Sequence, residues 1–480
     1  MKVNSPFIRD SQWVRRICIG FLEASASAVV LAQPPAAATP AAPPDLTIVQ
    51  VVQSAQQNYP AIHVSEQELN AAVANIRLAR TSYLPRLDGI VEVNRATRNN
   101  VFGTLLAQSI LPSMSGPVIG TNNAGSVWGS ATGLLVTWQP FDFGLRHAKV
   151  ESAAAARDQA NANVQRSQLE VSSAAADAFL TVLAASQAQN AAQVAVENWE
   201  TLRKSIHALT TSELRPGADE SRIEAEKAAA NTQLALAIEA VEMGQATLSK
   251  FLSKPDGVAR PLNSSHLLGE VPLGAEDDAA FHPEHTPAML EQHAVVSQSA
   301  SELHATERSW VPQFNVEAAG YERGTGAETN GQRLVGANGL APTVGNYAVG
   351  LNITFGFLDF ASIHALEASQ SATLKAEQSR ETLVGRQLQE QFAQARAALR
   401  ATRSIAKNTP IQTAAARTAF AQATARYKAG LTSIDDVAQA QRLVVQAEMD
   451  DSIARLNVWR AFLQLQSIRG DLQPFLQAAQ

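Results

Sequence analysis

Residues 346–361, NYAVGLNITFGFLDFA, decide how this chain is to be read. Tyr347, Val349, Leu351, Ile353 and Phe355 are apolar, while Ala348, Gly350, Asn352 and Thr354 between them are small or polar. A period of two means a β-strand with one greasy face and one wet face. Its length matches the roughly 9–11 residues that a tilted strand needs to cross a bilayer. From Ile363 onward the composition turns to Ala, Gln, Glu, Arg and Leu, with one glycine, Gly385, and no proline before Pro410. A membrane-type strand therefore runs straight into a very long helix.

Working outward, the same order of elements occurs earlier in the chain. Leu87, Gly89, Val91 and Val93 alternate with Asp88, Glu92 and Asn94, and Thr132, Leu134, Val136 and Trp138 form the apolar face of a further strand. Between them, residues 99–129 are rich in Gly, Asn, Ser and Pro and are expected to form a long loop. After Phe141-Asp142-Phe143-Gly144 no proline occurs until Pro216. If continuous, that helix is roughly 108 Å long at 1.5 Å per residue, longer than any compact globular domain holds. The chain turns at Arg215-Pro216-Gly217, and Ser221-Arg222-Ile223-Glu224 offers a capping box for a returning helix.

The second half repeats the first. Pro60 and Pro85 stand 25 apart, as do Pro287 and Pro312. Tyr83-Leu84-Pro85 corresponds to Trp310-Val311-Pro312, Phe141-Asp142-Phe143 to Leu358-Asp359-Phe360, and Pro216-Gly217 to Ala429-Gly430. The order helix, strand, strand, long helix, turn, helix is written twice. Repeat 1 covers 45–257, with strands at 87–94 and 132–139, a long helix to 215 and a return helix over 219–252. A connector spans 258–282. Repeat 2 covers 283–475, with strands at 314–321 and 347–355, a long helix to 428 and a return helix over 434–468. Ala454, Val458, Ala461, Leu465 and Ile468 step by four and three, a narrow seam suited to coiled-coil packing.

At the N-terminus, Arg15 and Arg16 precede an apolar run that Glu23 interrupts and residues 24–32 resume, ending in Val30-Leu31-Ala32. An export signal is expected over 1–32, the alternative being a disordered tail. Residues 33–44, QPPAAATPAAPP, are expected to form a flexible linker. The one cysteine, Cys18, follows Arg15-Arg16-Ile17, which is no lipobox, so neither a lipid anchor nor thiol chemistry is expected of the mature chain. No run of about 20 apolar residues follows, which argues against a transmembrane helix.

Together and in duplicate, Tyr83-Leu84-Pro85, the junction Pro140-Phe141-Asp142-Phe143-Gly144 and the turn 427–437 (YKAGLTSIDDV) with Ala440-Gln441 resemble the TolC-type outer-membrane efflux protein family. The resemblance implies a mainly α chain with a small transmembrane β part, its long antiparallel hairpins forming an α-barrel. Four strands per chain would complete a twelve-stranded β-barrel in a homotrimer. It also implies a location in the outer membrane of a Gram-negative cell, contact with lipid, a periplasmic adaptor, and an inner-membrane RND or ABC transporter as the source of energy. Independently, four strands cannot close a barrel and open edges are not tolerated in lipid, so association is required. Service to a type I protein secretion system is an alternative, and a non-conducting coiled-coil scaffold or adhesin is another that the amphipathic strands oppose.

Function in such a family is conduction, so the residues of interest open, close or dock. Family members close the tip near the second turn. Matched by position, Tyr427 and Asp436 remain, the family's gate arginine falls on Thr432 and its second aspartate on Gln439, and Asp435 is an added candidate. Ser433-Ile434-Asp435-Asp436 is also what a helix start requires, with Ser433 as cap and carboxylates near the positive dipole end. The turns Arg215-Pro216-Gly217 and Ala429-Gly430-Leu431 resemble the family's adaptor-docking tips.

Other classes fare worse. His282, His285 and His293 with Glu284 lie in a short span, but the first two sit in an irregular connector, and no metal is assigned. No phosphate loop, nucleophile elbow or HExxH is present, and no cofactor or enzymatic activity is expected. A net charge of −6 and the absence of a basic run give no reason to expect nucleic acid.

Overall fold

In the computed structural model, residues 46–97, 109–111, 125–211, 217–252, 265–269, 272, 280–330, 332–356 and 358–480 are described. The expected signal and linker therefore lie outside the described residues. Helices α1 (Ile48–Asn58) and α2 (Pro60–Thr81) lead into strands β1 (Arg86–Thr97) and β2 (Ser126–Phe141), then α3 (Leu145–Thr211) and α4 (Gly217–Ser249). After α5 (Ser265–Gly269) and a 3-10 turn (Pro283–His285), α6 (Pro287–Glu307) leads into β3 (Gln313–Thr325) and β4 (Val344–Thr354). Helices α7 (Phe360–Lys428), α8 (Ile434–Arg469) and α9 (Gln473–Ala478) complete the chain. Pro60 and Pro287 each occupy a first helical turn, where the missing N–H costs nothing.

The strands form one antiparallel sheet in the order β1-β2-β3-β4. All four outrun the alternation visible in the sequence, and β2 begins at Ser126 inside the expected loop, because strand pairing there is made by small residues such as Ser130 and Gly129 against β1 and β3. Register aligns Leu87 with Val136, Leu134 with Gly320, and Gly320 with Tyr347. One face thus carries Leu87, Val91, Val93, Leu134, Val136, Trp138, Tyr347, Val349, Leu351 and Ile353, all exposed. So large an uncovered apolar face is a lipid face. The register breaks between Trp138 and Phe141, around Pro140, where a strand tolerates proline.

Strand gives way to helix through two successive left-handed residues, Phe143 (φ 51°) and Gly144 (φ 92°). Asp142 stabilises the reversal. Its carboxylate accepts from the backbone N–H of Gly144 (3.2 Å) and from the backbone and Nε of Arg146 (2.6 and 2.8 Å). Burial alone would raise its pKa, but the Arg146 and Gly144 hydrogen bonds hold it below the usual carboxylate range. Arg146 then donates to the Ser82 carbonyl (3.1 Å) and lies 4.8 Å over the Tyr83 ring. The Tyr83 carbonyl accepts the Trp138 indole N–H at 3.2 Å. The Tyr83-Leu84-Pro85 and Phe141-Asp142-Phe143-Gly144 motifs are therefore one joint between barrel and helices.

With 67 and 69 residues, α3 and α7 are each about 100 Å long. Neither hairpin is capped as expected. Helix α4 starts at Gly217, so Ser221 lies inside it and its hydroxyl donates back to the Gly217 carbonyl rather than capping. The main core sits at mid-length, where α1, α5 and α9 pack on Val171–Leu183 of α3, Leu399 of α7 and Leu456–Leu465 of α8. Trp459 anchors it: its indole N–H donates to the Leu267 carbonyl at 3.0 Å and its ring meets Phe475 edge-on. The seam residues Ala454, Val458, Ala461 and Leu465 are buried here. A window of α3 is apolar enough by composition to pass for a membrane span, but it is half buried against its neighbours. Alanine supplies that apolarity, as close helix packing demands.

Breaking the joint leaves a carboxylate with its chief partner gone. Arg146→Ala is expected to cost about 3–5 kcal/mol, as for a buried ion pair deprived of one member, read as a lowered thermal midpoint of the detergent-solubilised protein.

Candidate functional site

At the end of the hairpins remote from the strands, α7 stops by a backbone device. The Leu431 N–H bonds to the Arg426 carbonyl (2.9 Å) and the Gly430 N–H to that of Tyr427 (3.0 Å), with Gly430 left-handed at φ 75°. Glycine is favoured there because a Cβ would collide with the carbonyl. Leu431 is 70% exposed at the extremity. Ser433 has the extended backbone of a cap, yet its side chain makes no capping bond. The Thr432 hydroxyl instead donates to Asp436, one turn on. Asp435 and Asp436 remain in the first turn, where the helix dipole favours them.

Tyr427 is 2% exposed, packed with Trp199, Ile206, Ile223, Ile434 and Val437 where both hairpins meet. Its hydroxyl donates to Asp219 of α4 at 2.9 Å. Two more bonds cross between repeats: Arg222 Nε to Asp435 at 3.3 Å and Arg442 to Glu226 at 3.4 Å. Asp219, Arg222 and Glu226 stand three and four residues apart, hence on one face of α4. Together they form a latch of one buried aromatic anchor and two exposed ion pairs. Each exposed pair is worth at most about 1 kcal/mol and weakens with salt.

Of the residues singled out in the sequence, the structure brings Tyr427 and Asp435 into this network. Among the described residues, Thr432 and Asp436 bond to each other across their own turn and to no residue of α4, and Gln439 is exposed on α8 outside the network. Gly217 opens α4, and Ala429, Gly430 and Leu431 close α7, while Arg215 and Pro216 lie outside the described residues. Sequence reasoning missed Asp219, Arg222, Glu226 and Arg442. The signal that could have found them is the helical spacing of the first three. The histidines do not converge, since His282 pairs with Glu284 (3.0 Å) and His293 with Glu381 of α7 (2.9 Å).

A second polar cluster backs the latch. Glu200 of α3 accepts from Arg203 (3.0 Å) and from Lys227 of α4 (2.7 Å). The Arg203 and Lys227 hydrogen bonds hold its carboxyl down at about 2, against an ordinary 4.5. A depressed pKa stabilises the fold fully above the ordinary value and progressively less as pH falls through the depressed one. Thermal midpoints of the chain and of Glu200→Gln are therefore expected to differ by a constant amount above pH 4.5 and to converge as pH approaches 2.

Comparison with known proteins follows the two halves. A family model described as outer membrane efflux protein matches residues 51–252 and 283–471. Among solved structures, the CmeC outer membrane channel of Campylobacter jejuni superposes with a TM-score of 0.71 at 13% identity, covering 94% of this chain and 93% of that one. The outer membrane protein VceC of Vibrio cholerae gives 0.71 at 15% identity, covering 88% and 96%. The MtrE outer membrane channel of Neisseria gonorrhoeae, solved in its open state, gives 0.67 at 16% identity, covering 88% and 89%. Comparison with curated protein sequences gives no match. The chain belongs to the outer membrane efflux protein family, as a passive exit duct in the outer membrane of a Gram-negative cell rather than an enzyme.

Proposed function

We propose that three copies of this chain close one twelve-stranded barrel, continued by a helical tube whose remote tip is held shut by the latch around Tyr427. The observation that carries this reading is the pair of free edges on a lipid-facing sheet: among the described residues, β1 and β4 end the strand order with no further strand beside them. Each unsatisfied backbone group in hydrocarbon costs several kcal/mol, so β1 of one copy pairs with β4 of the next. Residues 1–32 direct export and are removed, and 33–44 link to the first repeat.

The tips that end in Gly217 and in Ala429-Gly430-Leu431 meet a periplasmic adaptor, to which exposed Leu431 offers an apolar contact. An inner-membrane transporter of RND or ABC type supplies the energy. Adaptor binding opens the tip by drawing α7 and α8 away from α4, a movement opposed by the Tyr427–Asp219 bond and the two exposed ion pairs. Efflux of solutes is favoured over the scaffold reading by the same lipid face, for which a soluble rod has no use.

Single-channel recording in a planar bilayer tests the latch. Tyr427→Phe combined with Asp219→Ala is expected to raise conductance several-fold, and Asp436→Ala, which breaks only a bond within its own turn, to change it much less. Unchanged conductance in the double variant would remove the latch from the gate.

A further inference from the structure

The chain that joins β1 to β2 touches the sheet at Leu111, which is only 4% exposed. Its seat is Gly133 of β2. A methyl group at the Gly133 Cβ position would come within 2.8 Å of Leu111 Cδ2 and 2.7 Å of the Tyr321 Cβ. Gly133 and Tyr321 are register partners, and their chain neighbours Leu134 and Gly320 belong to the exposed apolar face. Side chains alternate along a strand, so Leu111 lies on the opposite face, which is the lumen of the closed barrel.

Two further observations agree. Ala131 and Ala319, which share that face, are likewise buried, at 1% and 7% exposure. Gly133 also lies seven residues below Ser126, the outer end of β2, or about 23 Å down the strand at about 3.3 Å per residue. Contact at that depth requires the chain at 109–111 to stand well inside the barrel.

We propose that Ile110 and Leu111 form an apolar collar within the barrel, anchored by Leu111 on Gly133 and repeated three times around the axis, which narrows the duct at mid-membrane independently of the tip. It rests on the trimeric barrel proposed above. Narrow apolar rings limit a conduit by size and by how readily they dewet. The duct then has two constrictions in series, one at each end of its length, and the collar sets the size limit on what leaves.

Two readouts test it on the full chain, with Cys18 replaced by Ser. In the first, Leu111→Cys with Tyr321→Cys is expected to form a disulfide within one chain on mild oxidation, since Leu111 Cδ2 and the Tyr321 Cβ lie 2.8 and 2.7 Å from one point beside Gly133 and such bonds form only between closely placed residues. In the second, conductance is recorded in the Tyr427→Phe Asp219→Ala background, so that the tip does not limit the current. Leu111→Ala is expected to raise the open-channel current, and Leu111→Met to leave it unchanged. Trimeric pores in which the cysteines stay reduced, or in which Leu111→Ala conducts like its parent, overturn the collar. Absence of trimers in the unsubstituted chain would instead bring down the barrel reading, and the collar with it.

Discussion

Lipid cannot hydrogen-bond to a strand edge, and this single restriction reaches every part of the molecule. The sheet has four strands, an apolar outer face and two free edges. It is stable in hydrocarbon only as part of a larger closed barrel, which makes association a condition of the fold rather than an addition to it. Because the strands come from two repeats, each repeat also carries its own long hairpin, whose placement follows from that of its strands. The joint built on Asp142, Arg146 and Tyr83 transmits it, turning the chain through two left-handed residues so that helix follows strand without a flexible linker.

Stability is distributed unevenly along the helices. Around mid-length, Trp459, Phe462 and Phe475 build an aromatic core fed by three short helices. Between that core and the tip lies a small cluster of Ala416, Val444 and Ala447, and at the tip bulky buried residues return with Trp199, Ile206, Ile223 and Tyr427. The stretch with the fewest buried apolar contacts, between the main core and the tip cluster, is where the helices part at the lowest cost. The latch follows the same logic. Its ion pairs are exposed and individually weak, while Tyr427 is buried and supplies the geometry.

Much of this was legible from residue patterns. Period-two alternation at 347–355 marks a membrane strand, the absence of proline from 144 to 216 marks a long helix, and the duplicated prolines mark the repeat. Where reading failed, tertiary contacts had decided the matter. Ser126 to Ser130 resemble a loop because Ser and Gly punctuate the segment, yet β1 pairs with all of it and β3 with Gly129 and Ser130. Ser221 and Ser433 look like caps, but the first lies within α4 and the second makes no capping bond, the neighbouring Thr432 hydroxyl donating to the Asp436 carboxylate. Asp219 was invisible as a partner of Tyr427 because the two lie 208 residues apart and meet only when the repeats pack side by side. Leu111 sits in a stretch whose composition says loop and nothing about where that loop goes.

The claim on which all else stands is that neighbouring copies close the sheet. Native mass spectrometry of the chain released from detergent micelles tests it most directly. A single species of three chains that survives release is the result the account predicts. A monomer, or a broad series of sizes without a preferred state, would contradict it, because an open four-stranded sheet would then be the stable form.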